Sequence, residues 1–351
     1  MKLLIIINLL FLSFFVQAKS KFLDTINIRS GTYVDVVESA KLKARIIGYE
    51  FGIDITDKIN NELELFFGAS AILETGSNDV ISSKDEWKPD QSLNLIDGGI
   101  LYKPNNFLEF RLGALNQGIY NSPLLLASTP FAAMEQRLSF GWLYFKAQQA
   151  IPSNNKLTKR IGTVETGTPS FMMETIGIEL GHKTKFKMEL SHYKYDGLHG
   201  YIAVDSTSLG NTTQGIDTSA KFDYDFDGVN LYSAFRWMFN DFSIMADGQY
   251  LYNNKAPDTR NIGYLGRVGF AINKYSVFAE SFRNESDSAP AFYNSKYYAH
   301  NNMMGNAGIF RFENKYITTK LRVAEIFPIR DNAIQDDTYI VSFDLFKKYD
   351  F

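Results

Sequence analysis

Few residues in this chain have the types and spacing that acid–base or nucleophilic chemistry requires. There are four histidines, His182, His192, His199 and His300, and they lie far apart in the sequence. A hydrolytic site places a hydroxyl or carboxylate against an imidazole that a third group orients. Here His199 is flanked by Asp196 and Asp205, a commonplace arrangement for a lone histidine, and it falls in a long polar connection. His300 lies in another connection, His182 in a short turn, and His192 alternates onto an apolar face. The run Asp223-Tyr224-Asp225-Phe226-Asp227 reads as strand alternation at a loop edge rather than as a calcium loop, whose closing glutamate is replaced here by Ala234. There is no cysteine, which removes thiolate chemistry, a disulfide framework and a lipidated N-terminus. No catalytic set, metal site or cofactor site is expected. The remaining chemistry is that of charges placed at alternate positions.

Those charges need strands to position them. In the stretch 43–56, Ile47, Tyr49, Phe51, Ile53 and Ile55 share one face, and Glu50 and Asp54 share the other with Gly48 and Gly52 between them. After a tight connection, Leu63, Leu65, Phe67, Ala69, Ala71 and Leu73 oppose Glu62, Glu64, Gly68, Ser70 and Glu74, which predicts an antiparallel hairpin. Short connections at 104–106, 181–184, 240–241, 273–274 and 313–314 alternate with long ones at 76–91, 118–135, 197–220, 286–302 and 328–337. Further strands are expected at 92–103, 107–117, 136–149, 156–166, 171–181, 185–196, 226–239, 242–253, 261–272, 275–285, 303–313, 315–326 and 338–351. With the first at 22–37, the total is 16, and 14 is the next count because 156–166 is weakly apolar. All nine prolines fall in segments assigned to connections, as a sheet without edges demands.

The last stretch, TYIVSFDLFKKYDF, places Tyr339, Val341, Phe343, Leu345, Tyr349 and Phe351 on one face and Ser342, Asp344, Lys348 and Asp350 on the other. A strand so divided needs lipid or a second layer against its apolar side. This ending resembles the C-terminal assembly signal of Gram-negative outer-membrane β-barrels, carried here by Phe343, Leu345, Tyr349 and Phe351. Lys347 departs from that pattern. At the front, Met1-Lys2, an apolar run to Val16 and Val16-Gln17-Ala18 read as a cleaved secretory signal peptide over 1–18, the barrel then occupying 19–351. The run is shorter than the roughly 20 residues of a spanning helix. Phe, Tyr and Trp make up 15% of the residues, while mean hydropathy is only −0.18, which suits a lipid-facing wall around a polar lumen. A net charge of −3 with no basic block gives no reason to expect nucleic acid as a partner.

The expected fold is therefore all-β: a closed antiparallel transmembrane β-barrel with short periplasmic turns, long outside loops and a charged lumen. Candidate pore-lining residues are Glu62, Glu64, Arg111, Arg236, Arg267, Lys320 and Arg322, with acids concentrated early in the chain and bases late. Resemblance to porins implies that a long loop, here 118–135, folds inward to form a constriction, with Glu135 and Arg137 at its end as constriction charges. The region from Phe110-Arg111-Leu112-Gly113 to Pro130-Phe131 is similar to phosphate-selective porins, yet the net negative charge offers no basic excess for phosphate. The same loop is strongly apolar, so Leu124, Leu125, Leu126, Phe131 and Met134 pack on the wall or else gate a hydrophobic solute. The resemblance implies an outer-membrane channel for passive diffusion of small polar solutes. Its expected partners are outer-membrane lipid, the barrel-assembly machinery and two further copies in a homotrimer. A structural surface barrel without transport is the alternative.

Overall fold

The computed structural model describes residues 26–80, 87–152, 168–181, 184–216 and 219–350. The signal-peptide expectation, the strand 156–166, His182 and Phe351 lie outside them. Their strands in chain order are β1 (Ile26–Glu38), β2 (Leu42–Lys58), β3 (Leu63–Val80), β4 (Gln91–Asn105), β5 (Leu108–Asn116), β6 (Pro130–Phe140), β7 (Leu143–Ile151), β8 (Ser170–Leu180) and β9 (Thr184–Asp196). A short helix α1 (Gly200–Ser208) and the two-residue strands β10 (Thr213–Gln214) and β11 (Lys221–Phe222) follow. The chain continues as β12 (Phe226–Phe239), β13 (Phe242–Asn253), β14 (Ile262–Ile272), β15 (Tyr275–Asn284), β16 (Met303–Glu313), β17 (Ile317–Pro328) and β18 (Thr338–Asp350). β10 and β11 pair only with each other. The other 16 close into one antiparallel barrel, sealed where β1 pairs with β18 from Asn27 opposite Asp350 to Glu38 opposite Tyr339. Among the described residues no helix is long and apolar enough to cross a membrane.

Alternation decides which side chains meet which medium. Ile47, Leu65, Phe67, Leu73, Val268, Phe270, Val341, Phe343 and Leu345 are all exposed on the outer wall, while their neighbours Ser70, Arg322 and Ser342 are buried inside. The wall is thus apolar toward the surroundings and polar toward the lumen, the inverse of a soluble domain. At the end of the barrel that carries the short turns, Trp237, Phe239, Phe242 and Phe270 form a chain of ring contacts with centroids 4.4–6.4 Å apart. An aromatic cluster of this kind suits a membrane–water boundary. Two of the short turns place Asn240 and Asn273 at φ 42° and 52°, a conformation asparagine tolerates better than most residues.

Sequence reading and structure agree on the strand number but not on every strand. The expected strand 136–149 is in fact the end of β6, a turn at Gly141-Trp142 and most of β7. Gly141 takes φ 64°, which turns the chain within an apolar run. Three prolines sit at strand ends rather than in loops. Pro130 opens β6, Pro328 closes β17, and Pro104 lies where the β4–β5 register slips between Tyr102 and Asn105. Each avoids the uninterrupted ladder.

Candidate permeation site

Two long connections fold into the lumen and meet there. The first spans 117–129, because β6 begins at Pro130, earlier than the sequence suggests. The Asn116 side chain accepts the Gly118 N–H at 2.8 Å and starts a single 3-10 turn over Gln117–Tyr120. The chain then crosses to the opposite wall. There Asn230 on β12 donates to the Ser122 hydroxyl at 2.9 Å, and the Leu124 N–H donates to Gln249 on β13 at 3.1 Å. Leu124, Leu125 and Leu126 are at most 2% exposed, so the apolar run is packed against side chains rather than presented to a solute. Met134, grouped with them in the sequence reading, lies on β6 and is exposed on the lipid face.

The second inward connection, 285–302, was not expected. It locks onto the first through the Ala127 N–H to the Tyr293 carbonyl at 2.6 Å and the Ser295 N–H to the Pro123 carbonyl at 3.0 Å. Tyr293 also packs edge-on against Phe131 and stacks on Tyr195, with centroids 5.2 and 5.8 Å apart. Its backbone is held by side-chain amides. Asn211 donates to the Ser286 and Ala289 carbonyls at 2.7 and 3.0 Å, and Asn301 donates to the same two at 2.9 and 2.6 Å. Asp287 accepts the Thr212 N–H and hydroxyl at 2.9 and 2.8 Å, and burial pushes its carboxyl above the usual range. Ala299, His300 and Asn302 all take left-handed φ, which this network over-determines. The buried His300 Nδ1 lies 2.8 Å from the Ala291 carbonyl and 2.6 Å from Asn294 Oδ1, a structural role. The outward-facing His192 lies 2.9 Å from Asp227.

Charged residues line the space below these loops. Glu64 faces inward near the short-turn end of β3, whereas Glu62 sits exposed in the β2–β3 turn and lines nothing. Glu135 and Arg137 belong to the body of β6, not to a loop end. Glu135 is buried and accepts the Tyr120 hydroxyl at 2.5 Å, pinning the loop, while Arg137 lies 4.2 Å over the Tyr144 ring. Tyr144, Lys146 and Lys187 all converge on Glu189, at 2.7, 3.3 and 3.0 Å. The Tyr144 ring lies flat on Gly177, where any Cβ would collide with it; this contact requires glycine there. Arg236 is exposed at the short-turn end of β12. Arg267 makes two bonds of 2.9 Å to Asp247, and Arg322 bonds Glu280 at 2.9 Å.

The walls are therefore not simply acidic against basic. Bases of the late strands are neutralised by cross-strand acids that also alternate inward, Asp247, Glu189 and Glu280, while Lys320 stands opposite Asp344 in the register. On β2, β3 and β4, half-buried Glu50, Asp54, Glu64, Glu74 and Asp97 face inward. Against them stand Arg29, 3.3 Å from Asp54, and Arg111, which lies 3.7 Å from Glu109 and 5.7 Å from the Phe66 ring centroid. On this wall the carboxylates outnumber the bases. Register was the missing information, since a charge and its neutraliser lie on different strands.

No family model and no curated protein matches the chain. Solved structures do. Pseudomonas putida OprB aligns with a TM-score of 0.64 at 11% identity, covering 93% of this chain and 94% of that one. Salmonella typhi OmpF, solved in complex with daunomycin, aligns with a TM-score of 0.55 at 9% identity over 92% and 97% of the two chains. Vibrio cholerae OmpT, an outer membrane protein, aligns with a TM-score of 0.52 at 10% identity over 92% and 96%. Closure into 16 strands, the lipid-facing apolar wall and near-complete overlap with these structures agree: the chain has the porin-like fold of an outer-membrane β-barrel.

Proposed function

We propose that this protein is an outer-membrane channel through which small polar solutes diffuse passively, cations faster than anions. The observation that carries the reading is the half-buried set Glu50, Asp54, Glu74 and Asp97, which outnumbers Arg29 and Arg111 on the same wall, facing a lumen where Lys187, Arg267 and Arg322 are paired with acids. Carboxylates along a narrow low-dielectric path concentrate cations and exclude anions. Phe343, Leu345, Tyr349 and Phe351 would act as the assembly signal, with the barrel-assembly machinery and a homotrimer as partners. The packed Leu124–Leu126 run disfavours a hydrophobic gate.

Reconstitution into a planar bilayer under a KCl gradient tests this reading. The reversal potential is expected to show potassium preference, and Glu50→Gln combined with Asp97→Asn to move it toward the unselective value. An anion-selective channel, or a folded barrel without conductance, would overturn the proposal.

A further inference from the structure

The outer wall is not the same all the way round the barrel. On β17, β18, β2, β3 and β5 it presents Val323, Phe343, Ile47, Phe67 and Leu112, large apolar side chains that are all exposed. From β12 to β16 one continuous outward row is instead Ser233, Gly248, Gly266, Ser281 and Asn306, each opposite the next in the register. This row lines a groove of about 560 Å³ in the outer surface. A second groove, of about 540 Å³, crosses β6–β9 and is lined by Gln136, Ala147, Glu174 and His192 among apolar neighbours. The Glu174 side chain is 64% exposed there and lies 4.0 Å from His192, whose other ring nitrogen lies 2.9 Å from Asp227.

Both grooves fall within the band that faces acyl chains. Phe242 and Phe270 mark its lower edge, and the exposed pair Tyr250 and Tyr264 its upper edge. Counted from the short-turn ends of their strands, Leu180 and Ile272, Glu174 and Gly266 stand at one level, just below that of Tyr264. Gln136, counted from Phe140, stands lower still. Acyl chains offer a carboxylate or an amide no hydrogen bond, so a polar groove at this depth needs a protein partner. Headgroup phosphates do not suit it, because Glu174, Asp196 and Asp227 outnumber Lys194 and His192. At Gly266 and Gly308 an added Cβ would meet no atom within 4 Å, so the glycines are not required by the barrel itself; they leave room for a second backbone to approach. The donors that Glu174 and Gln136 lack are present in the neighbouring groove as Ser233, Ser281 and Asn306. Because the two grooves sit side by side on one sector, a contact of one with the other, repeated from copy to copy, closes into a small ring. The nine strands β6–β9 and β12–β16 present roughly 1,000 Å², at about 4.8 Å per strand and about 25 Å of apolar height, and copies that each give half bury the roughly 1,000 Å² in total of a specific contact.

We propose that copies of this chain associate through the outer face of β6–β9 and β12–β16, the Glu174 groove of one receiving the Ser281 and Asn306 edge of the next. This deepens the homotrimer reading, on which it rests, by assigning the face that meets the partner copy. It needs no conduction.

Cross-linking of the full chain in outer membranes tests the face. The chain has no cysteine of its own, and Ala147 of β7 and Ser281 of β15 are too far apart around one barrel for a short bismaleimide to join them. Ala147→Cys with Ser281→Cys is therefore expected to give covalent oligomers, and Phe67→Cys with Val323→Cys, on the opposite wall, to stay monomeric. Gly266→Trp, for which the single barrel has room, is expected to convert the oligomer to a folded monomer, read as mass by sedimentation in mild detergent. Val323→Trp should leave the mass unchanged. Heat-modifiable migration verifies the folding of each variant. Absence of cross-links at 147 and 281, equal cross-linking by the opposite-wall pair, or an intact oligomer in folded Gly266→Trp would overturn the assignment. A monomer that holds lipopolysaccharide on this face would give the face to lipid and overturn it too. A cross-linked oligomer that passes no solute into liposomes would retain the face and overturn the channel; oligomers cross-linked only by the opposite-wall pair would retain the homotrimer and overturn the face.

Discussion

Arg322→Met is expected to lower the unfolding free energy of the barrel in lipid vesicles by about 3–5 kcal/mol, the usual cost of stranding one member of a buried ion pair. The Arg322 and Glu280 side chains are 3% and 1% exposed, and the Tyr298 hydroxyl, 2.9 Å from Glu280, would be the remaining partner of the carboxylate. Adding Glu280→Leu should recover most of the loss, because no charge is then left behind. Arg267→Met makes the internal comparison. The Arg267 and Asp247 side chains are 36% and 16% exposed, so water reaches the Asp247 left behind and the cost falls to about 1 kcal/mol or less. Denaturant titration of the four proteins checks the order; equal losses for Arg322→Met and Arg267→Met would refute the distinction between dry and wet lumen charges.

Replacing residues 120–127 by two glycines is expected to raise single-channel conductance severalfold and to increase open-channel noise. The substitution removes the Tyr120 bond to Glu135 and both contacts with the far wall, Ser122 with Asn230 and Leu124 with Gln249. It also removes Ala127 and Pro123, the two backbone partners of the second inward loop, so that loop is released as well. A lumen of 16 strands is wide enough for water once its filling is withdrawn. Unchanged conductance would mean that the path bypasses these loops. A truncation that leaves conductance unchanged but abolishes uptake of an apolar solute would favour the gate reading of Leu124–Leu126.

How much of this was legible in the sequence follows from where the information resides. Outer and inner faces were readable on β2 and β3 because every strand must separate Ile47–Ile55 and Leu65–Leu73 from Glu50, Asp54 and Glu74, a local constraint of period two. The turn at Gly141-Trp142 was not, because a turn at the lipid boundary keeps apolar residues: Phe140, Trp142 and Leu143 surround its one glycine and look like continued strand. Loop 117–129 drew notice by its leucines. Loop 285–302 did not, since its fill is small, aromatic and amide side chains whose value lies in contacts with Asn211, Pro123 and Tyr195. Its signal was a long connection with few charges, only Glu285, Asp287 and Lys296 before the histidine at 300. Ion pairs such as Arg322–Glu280, 42 positions apart, depend on register that no single strand encodes.

The absence of cysteine makes the two media directly distinguishable. Single cysteines placed in turn at Glu50, Phe51, Ile53 and Asp54 of the reconstituted barrel would be tested with a membrane-impermeant thiosulfonate, then spin-labelled against nickel chelate and oxygen. Positions 50 and 54 should react with the water-soluble reagent and be relaxed by nickel; positions 51 and 53 should resist it and be relaxed by oxygen dissolved among acyl chains. Reaction at all four, or the opposite phase, would contradict a wall with lipid outside and water within.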